Sequence, residues 1–406
     1  MAAIRGTRVR RLLRLPEGLA EVLLLWLVLR IGLSLIAAVL FFNGSVPTPC
    51  NSDLVLNGWT TLPPLDNQGI AFPLIGVWQH WDACWYAKIA YWGYQPGAHS
   101  TNFFPLLPLL MSVGSRVLAG DVNLAALVIN GIALVAALFG LRQLVRQDFD
   151  AETADRAVLY QAVFPVAFFF FAPFTEALFL AGSVWALLGA RRRNWRTAAV
   201  AGFIAGLARP TGFVLLLPIG WEAALALRDR RRAAAQGAGR VNWRDAGPFI
   251  AAASPAIAYA GYVAFTGVVG EPYVLAHSFW LGQSQTLRLP WETIALAWDR
   301  VIEVHDIVTL LNLAALLLFL GLFVAGIRRL PASYSLVALP QLALILSAGT
   351  LGPLESTMRY VMVIFPGVVT LALMGRRGRF HRAWLALSLF LLGLLTALFL
   401  QGTFIA

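Results

Sequence analysis

Residues 103–119 read FFPLLPLLMSVGSRVLA, and whether they cross a membrane sets the topology of everything after them. The run is apolar, but Pro105 and Pro108 interrupt it and Arg116 stands inside it. The surrounding chain settles the solvent. Of 406 residues, 59% are hydrophobic and only 13% charged, and mean hydropathy is +0.73. An ordinary soluble domain carries about 25% charged residues, so this composition excludes a water-soluble globular enzyme, a disordered chain and a secreted disulfide scaffold. Two cysteines, Cys50 and Cys84, are too few for a disulfide framework or a four-thiolate metal site.

A membrane helix needs about 20 mainly apolar residues. Besides 103–119, such runs fall at roughly 19–42, 122–145, 157–174, 175–190, 197–208, 211–227, 246–267, 306–327, 331–349, 358–375 and 383–402, eleven candidate spans. Arginine placement fixes the parity, because short basic loops stay cytoplasmic. If 103–119 does not cross, residues 1–18, 142–156, 191–196, 228–245, 328–330 and 376–382 lie inside and hold 24 of the 31 basic residues. Six lie outside, and Arg30 sits within the first run, where a neighbouring carbonyl is its expected partner. Letting 103–119 cross inverts the bias, so it reads as interfacial or re-entrant. The basic N-terminus before a long apolar run reads as a signal anchor. These readings predict a single multi-pass, all-α integral membrane domain over 1–406. The N-terminus is cytoplasmic, and extracytoplasmic loops cover 43–121 and 268–305. The net charge of +11 fixes orientation and contacts anionic lipid, and nucleic acid is not needed to explain it.

The first outer loop is far longer than an ordinary connection. Within it Trp78, Trp81, Trp85, Ile89 and Trp92 recur at spacings of 3, 4, 4 and 3, one face of a helix. Such a face suits the headgroup boundary as an interfacial anchor. Asp82 lies at its edge, with Tyr86 one turn on and Lys88, the one lysine, on a wet flank. Other charges stand at outer membrane boundaries: Glu176 after Pro173-Phe174-Thr175, Arg209 before Pro210-Thr211-Gly212, and Glu355 and Arg359 in Leu354-Glu355-Ser356-Thr357-Met358-Arg359. Ionisable groups at such depths are expensive and mark candidate sites. Each has a plainer reading. Glu176 and Arg209 could neutralise each other, Arg359 could snorkel to the interface, and Asp82 could cap its helix. Cys50 and Cys84 could be bonded, or Cys84 could merely pack. No HxxxH or HExxH spacing occurs, so neither metal nor cofactor is expected.

Residues 80–94, HWDACWYAKIAYWGY, resemble the WDxxWYxxIAxxGY signature of the PIG-V-like mannosyltransferases, membrane glycosyltransferases of the GT-C class. FFPLLP at 103–108, Phe164-Pro165 through Thr175-Glu176-Ala177-Leu178-Phe179, and Ala208-Arg209-Pro210-Thr211-Gly212 follow in that family's order. Phe174 departs from the tyrosine common there. The resemblance covers about 80–212. It implies a GT-C-like fold and a polyprenyl-phosphate-linked sugar, usually mannose, passed with inversion to a hydroxyl of a lipid or glycolipid acceptor outside the cell membrane. With it, Asp82 reads as the general base, and Arg209, Arg359, Glu176, Lys88, Tyr86 and Glu355 as residues holding the donor's phosphate or sugar. Other sugars or a protein acceptor are the nearest alternative. A transporter or lipid flippase is the more distant one, but it should show two related halves with polar residues at the midplane, and no repeat is visible.

Overall fold

The computed structural model describes residues 16–47, 50, 72–236, 246–281, 288–347 and 352–405. The N-terminal arginines Arg5, Arg8, Arg10, Arg11 and Arg14, and Arg240 and Arg244, lie outside these. Among the described residues every regular element is helical. In chain order they are α1 (Leu19–Phe42), α2 (Asp82–Trp92), α3 (Leu106–Ser115), α4 (Val122–Asp148), α5 (Ala151–Ala162), α6 (Glu176–Arg191), α7 (Trp195–Ala208), α8 (Leu216–Ala235), α9 (Gly247–Val269), α10 (Tyr273–Leu281), α11 (Pro290–Val304), α12 (Ile307–Gly326), α13 (Ala332–Ser347), α14 (Thr357–Met362), α15 (Phe365–Met374) and α16 (Gly378–Leu400). The 3₁₀ turn Pro210–Leu215 runs directly into α8.

Six of these, α1, α4, α8 with its 3₁₀ lead-in, α9, α12 and α16, are long and apolar enough to cross a membrane. The chain is a membrane protein, all-helical among the described residues. The other five expected spans are shorter or broken. α6 and α13 have 16 residues and α7 has 14. The run 157–174 stops at Ala162, before Pro165, and resumes as the 3₁₀ turn Ala167–Phe170. The run 358–375 splits before Pro366 into α14 and α15. Proline at these points removes a backbone donor and ends the helix.

The shortfall matters for function. Sixteen residues rise about 24 Å, against a hydrocarbon core of about 30 Å, so neither α6 nor α7 spans it alone, and the chain around Glu176 and Arg209 is irregular where a full span would be helical.

Most of the basic segments meet at one end of the bundle. Arg142 donates to the Glu17 carbonyl (3.3 Å) and to Asp155 (2.6 Å), and Arg146 pairs with Glu17 (2.7 Å). Arg191 pairs with Asp148, Arg193 with Asp229 (3.4 Å) and Arg376 with Asp150. Because α1 starts where α4 ends, the chain leaves α1 after Phe42 and enters α4 at Val122 at the opposite end, and α3, 10 residues and about 15 Å long, is too short to cross. Arg30 donates to the Phe171 and Leu74 carbonyls (3.1 and 3.2 Å), the kind of partner its position inside a span requires.

Small residues let the central helices approach closely. A Cβ on Gly182 of α6 would lie 2.9 Å from backbone atoms of Ala201 and Ala205 on α7, and one on Gly206 of α7 would lie 2.4 Å from the Pro255 carbonyl of α9.

The tryptophan face corrects the sequence reading. α2 begins only at Asp82, because Trp81 has φ 54° and ψ −120° and interrupts any helical continuation from Trp78. Trp78 sits in a separate 3₁₀ turn, and Trp78, Trp85 and Ile89 are buried in the core rather than turned to headgroups. Residues 83–90 of α2 are all buried, so this is a core helix, not an interfacial anchor. Cys50 and Cys84 form a disulfide, which ties the chain beyond α1 to the first turn of α2.

Candidate active site

Four distant segments converge beside that first turn. Asp82 opens α2, Glu176 opens α6, Arg209 caps the C-terminus of α7, and Arg359 lies on α14. Arg359 Nη1 donates to Asp82 Oδ2 (2.5 Å), and its Nε donates to Glu176 Oε1. The same Glu176 oxygen accepts from Arg209 Nη1 (2.8 Å). Two carboxylates and two guanidiniums thus alternate in one chain with no net charge. Side-chain exposure grades along it: 0% at Glu176, 7% at Arg359, 8% at Arg209 and 31% at Asp82. Asp82 is the member open to an incoming molecule.

Aromatic rings support both cations. The Arg359 guanidinium lies 4.7 Å from the Phe174 ring centroid and 5.5 Å from that of Phe169, and Arg209 lies 5.0 Å from Tyr360 and 5.8 Å from Phe179. A cation held on a ring face in a dry site gains about 2 kcal/mol. The phenylalanine at 174 is therefore a seat for Arg359, which neither helical spacing nor motif matching revealed. Glu176 Oε2 is buried without a hydrogen-bond partner among the described residues. An orphaned buried acceptor costs about 1–3 kcal/mol, and the cost is recovered when a ligand supplies a donor.

The remaining sequence candidates fall differently. Tyr86 is buried one turn along α2 from Asp82. Burial foremost, then the Asp82 charge, raises its hydroxyl, with Arg359 opposing, so it stays a phenol and a hydrogen-bond donor at neutral pH. Glu355 stands at the rim. Its carboxylate accepts from the Gly352 N–H (3.1 Å), and burial raises its pKa while that N–H and Arg300 pull it down. Lys88 is buried, not on a wet flank. Six residues along α2 place it about 240° around the helix from Asp82, so the helix carries it away from the ion-pair chain. Burial lowers its ammonium to about 8.

That lowering carries a stability signature. The unfolded lysine keeps its proton up to its ordinary value, so between about pH 8 and 10.4 the unfolded chain binds more protons and folding stability rises with pH. Lys88→Met is expected to remove this part of the rise, as followed by thermal unfolding at pH 7 to 10. An unchanged pH dependence would refute the assignment.

The turn after Arg209 is set by Gly212. A Cβ there would lie 2.2 Å from the Ala205 carbonyl oxygen of α7, so no side chain fits while Arg209 stays in reach of Glu176. Gly212→Ala is expected to cost about 1–3 kcal/mol of stability. Gly220→Ala, inside α8 with its nearest neighbour at 3.9 Å, should be neutral or stabilising in the same thermal assay.

Among the described residues no group of three or more His, Cys, Asp or Glu side chains is gathered for a metal ion. No protein-family model and no curated protein sequence matches the chain. Solved structures that it resembles include the oligosaccharyltransferase of the archaeon Archaeoglobus fulgidus in complex with Zn and sulfate, at 16% identity and a TM-score of 0.40, over 92% of this chain and 53% of that one. Two others are of the same archaeal enzyme. One, AglB with an inhibitory peptide and a dolichol-phosphate, shows 13% identity and a TM-score of 0.39 over 92% of this chain and 55% of that one. The other, tethered to an acceptor peptide through a disulfide, shows 13% identity and a TM-score of 0.40 over the same shares. This chain spans about half the length of those chains.

Proposed function

We propose that this protein is a GT-C-class membrane glycosyltransferase that moves a hexose, mannose by the resemblance of residues 80–94, from a polyprenyl-phosphate carrier to a hydroxyl of a lipid or glycolipid acceptor. The observation that carries this reading is the chain Asp82–Arg359–Glu176–Arg209, half-open only at Asp82. Sugar transfer from a lipid phosphate needs a base for the acceptor proton and fixed positive charge for the departing phosphate, and the chain offers both side by side.

In the proposed step the acceptor oxygen forms its bond to the anomeric carbon from the face opposite the phosphate, inverting it. The bond between that carbon and the phosphate oxygen breaks, and its electron pair stays on the lipid phosphate. The acceptor proton passes to Asp82, whose Oδ2 remains anchored on Arg359. Arg359 and Arg209 turn donors to the phosphate, bidentate pairing being the strength of guanidinium. Glu176 keeps the two arginines adjacent, and its second oxygen accepts a hydroxyl of the sugar. Tyr86 and Glu355 line the approach to Asp82.

The same reading puts the basic end in the cytoplasm and the Asp82 end outside the cell membrane. Support comes from the gathering of arginines at one end and from the disulfide at the other, which suits an oxidising compartment. The test is transfer by the purified chain in nanodiscs, given labelled polyprenyl-phosphate-mannose and a membrane glycolipid, with the anomeric configuration of the product determined. Inverted, lipid-linked product supports the reading. Transfer from a nucleotide sugar but none from the lipid-linked donor overturns it.

A further inference from the structure

Helix α11 (Pro290–Val304) carries Trp291, Ala295, Trp298 and Ile302 at spacings of 4, 3 and 4, a single stripe, and all four are exposed, the tryptophans by 64% and 53% and Ile302 by 57%. Glu292, Asp299 and Glu303 form a second stripe roughly a quarter-turn away. The opposite side is fixed on the bundle. Thr293 donates from Oγ1 to the Leu346 carbonyl of α13 (2.7 Å), Ala297 is fully buried, and Arg300 pairs with Asp306 at the head of α12 (2.8 Å).

A regular apolar stripe with two tryptophans, next to an acidic one, does not belong in bulk water. It cannot belong to a span either, because 15 residues rise only about 22 Å and three of them are acidic. At its C-terminal end α11 leads through His305 and Asp306 directly into α12, a membrane span whose first residue, Ile307, is exposed. We propose that α11 lies along the bilayer surface at the Asp82 end. Its Trp291, Ala295, Trp298 and Ile302 face enters the boundary between headgroups and acyl chains, and its acidic face stays in water. Tryptophan favours that boundary. Interfacial helices that rely on anionic lipid carry Lys and Arg on the polar face. This one carries Glu and Asp, so its anchoring is apolar and is retained on a zwitterionic bilayer.

The inner side of α11 reaches toward the candidate site. Arg300 Nη1 stands 3.2 Å from where a Cβ on Gly352 would be and draws on the Glu355 carboxylate, in the segment that leads to Arg359. A helix anchored in the interface therefore fixes the depth of that segment, which suits a substrate arriving within the bilayer. This consequence rests on the proposed transfer, whereas the placement of the helix does not.

The experiment is site-directed spin labelling of the full-length chain in phosphatidylcholine nanodiscs, one cysteine at a time replacing Ala295, Glu292 or Glu303. The native cysteines are bonded to each other, leaving the introduced thiol to react. Collision with oxygen, which concentrates in lipid, is compared with collision with a water-soluble nickel chelate. The oxygen-to-nickel ratio is expected to be several-fold higher at 295 than at 292 or 303. Equal nickel access at all three positions overturns the proposal by placing the stripe in water. Shielding of 295 from both reagents also overturns it, because a protein surface, such as a second copy of this chain, would then cover the stripe. Should a labelled variant fail to fold, brominated phosphatidylcholine provides the second measurement. Trp291→Phe with Trp298→Phe must remove part of the lipid-quenched tryptophan fluorescence, and an unchanged quenched fraction refutes the placement. Both readouts are spectroscopic and need no sugar transfer, so their failure is separable from failure of the proposed enzyme.

Discussion

Replacement of Arg359 by Gln is expected to abolish sugar transfer and to remove about 3–5 kcal/mol of stability, the cost of leaving a buried partner charge uncompensated. Arg359 is the hinge of the ion-pair chain, bonding Asp82 on one side and Glu176 on the other. Without it the cluster holds two carboxylates against the single Arg209, and Glu176 is fully buried. The net charge at the site becomes negative, so the donor phosphate meets repulsion where it needs a cation. Arg359→Lys should not rescue transfer, since one ammonium cannot serve Asp82 and Glu176 with the planar fork that reaches both. The two effects separate in a double variant. Arg359→Gln with Glu176→Gln restores charge balance, with Arg209 left to answer Asp82, and should recover a large share of the stability while transfer stays absent. The checks are thermal unfolding of purified protein and the lipid-linked transfer assay. Wild-type turnover in Arg359→Gln would show that the pair is structural only.

The charges of this cluster were legible in the sequence because each stands at the edge of an apolar or aromatic run: Asp82 beside the tryptophan face, Glu176 after Pro173, Arg209 before Pro210, Arg359 ahead of the run that holds Pro366. An ionisable group in such a place has few reasons to be there. The pairing of Glu176 with Arg209 was legible as mutual neutralisation; that Arg359 joins Glu176 to Asp82 was not, since those residues are separated by 183 and 277 positions. The tryptophan spacing misled for a definable reason. Periodicity assumes continuous helical φ and ψ, and the positive φ at Trp81 breaks it just before the residue that matters most. Exposed tryptophans suited to an interface sit on α11 instead, two hundred residues further along the chain.

Asp82→Asn should leave the protein folded and nearly inactive. Asn keeps the shape of Asp and still offers a carbonyl oxygen to Arg359, and at 31% exposure the loss of charge is partly met by water, so stability should fall by no more than about 1 kcal/mol. Turnover should fall by about 10²–10⁴-fold, the usual contribution of a positioned base. Donor affinity should move the opposite way. Removing one carboxylate leaves the cluster with a net positive charge, so an anionic donor binds more tightly, and KM for the donor should drop together with kcat. That pairing distinguishes the candidate roles. If Asp82 served only to hold Arg359, exchanging its charged hydrogen bond for the weaker one of Asn would loosen Arg359, weaken donor binding and raise KM, with kcat changed little at saturation. Steady-state kinetics of the purified variant at several donor concentrations decides between them, and near-wild-type kcat at saturating donor would rule out Asp82 as the base.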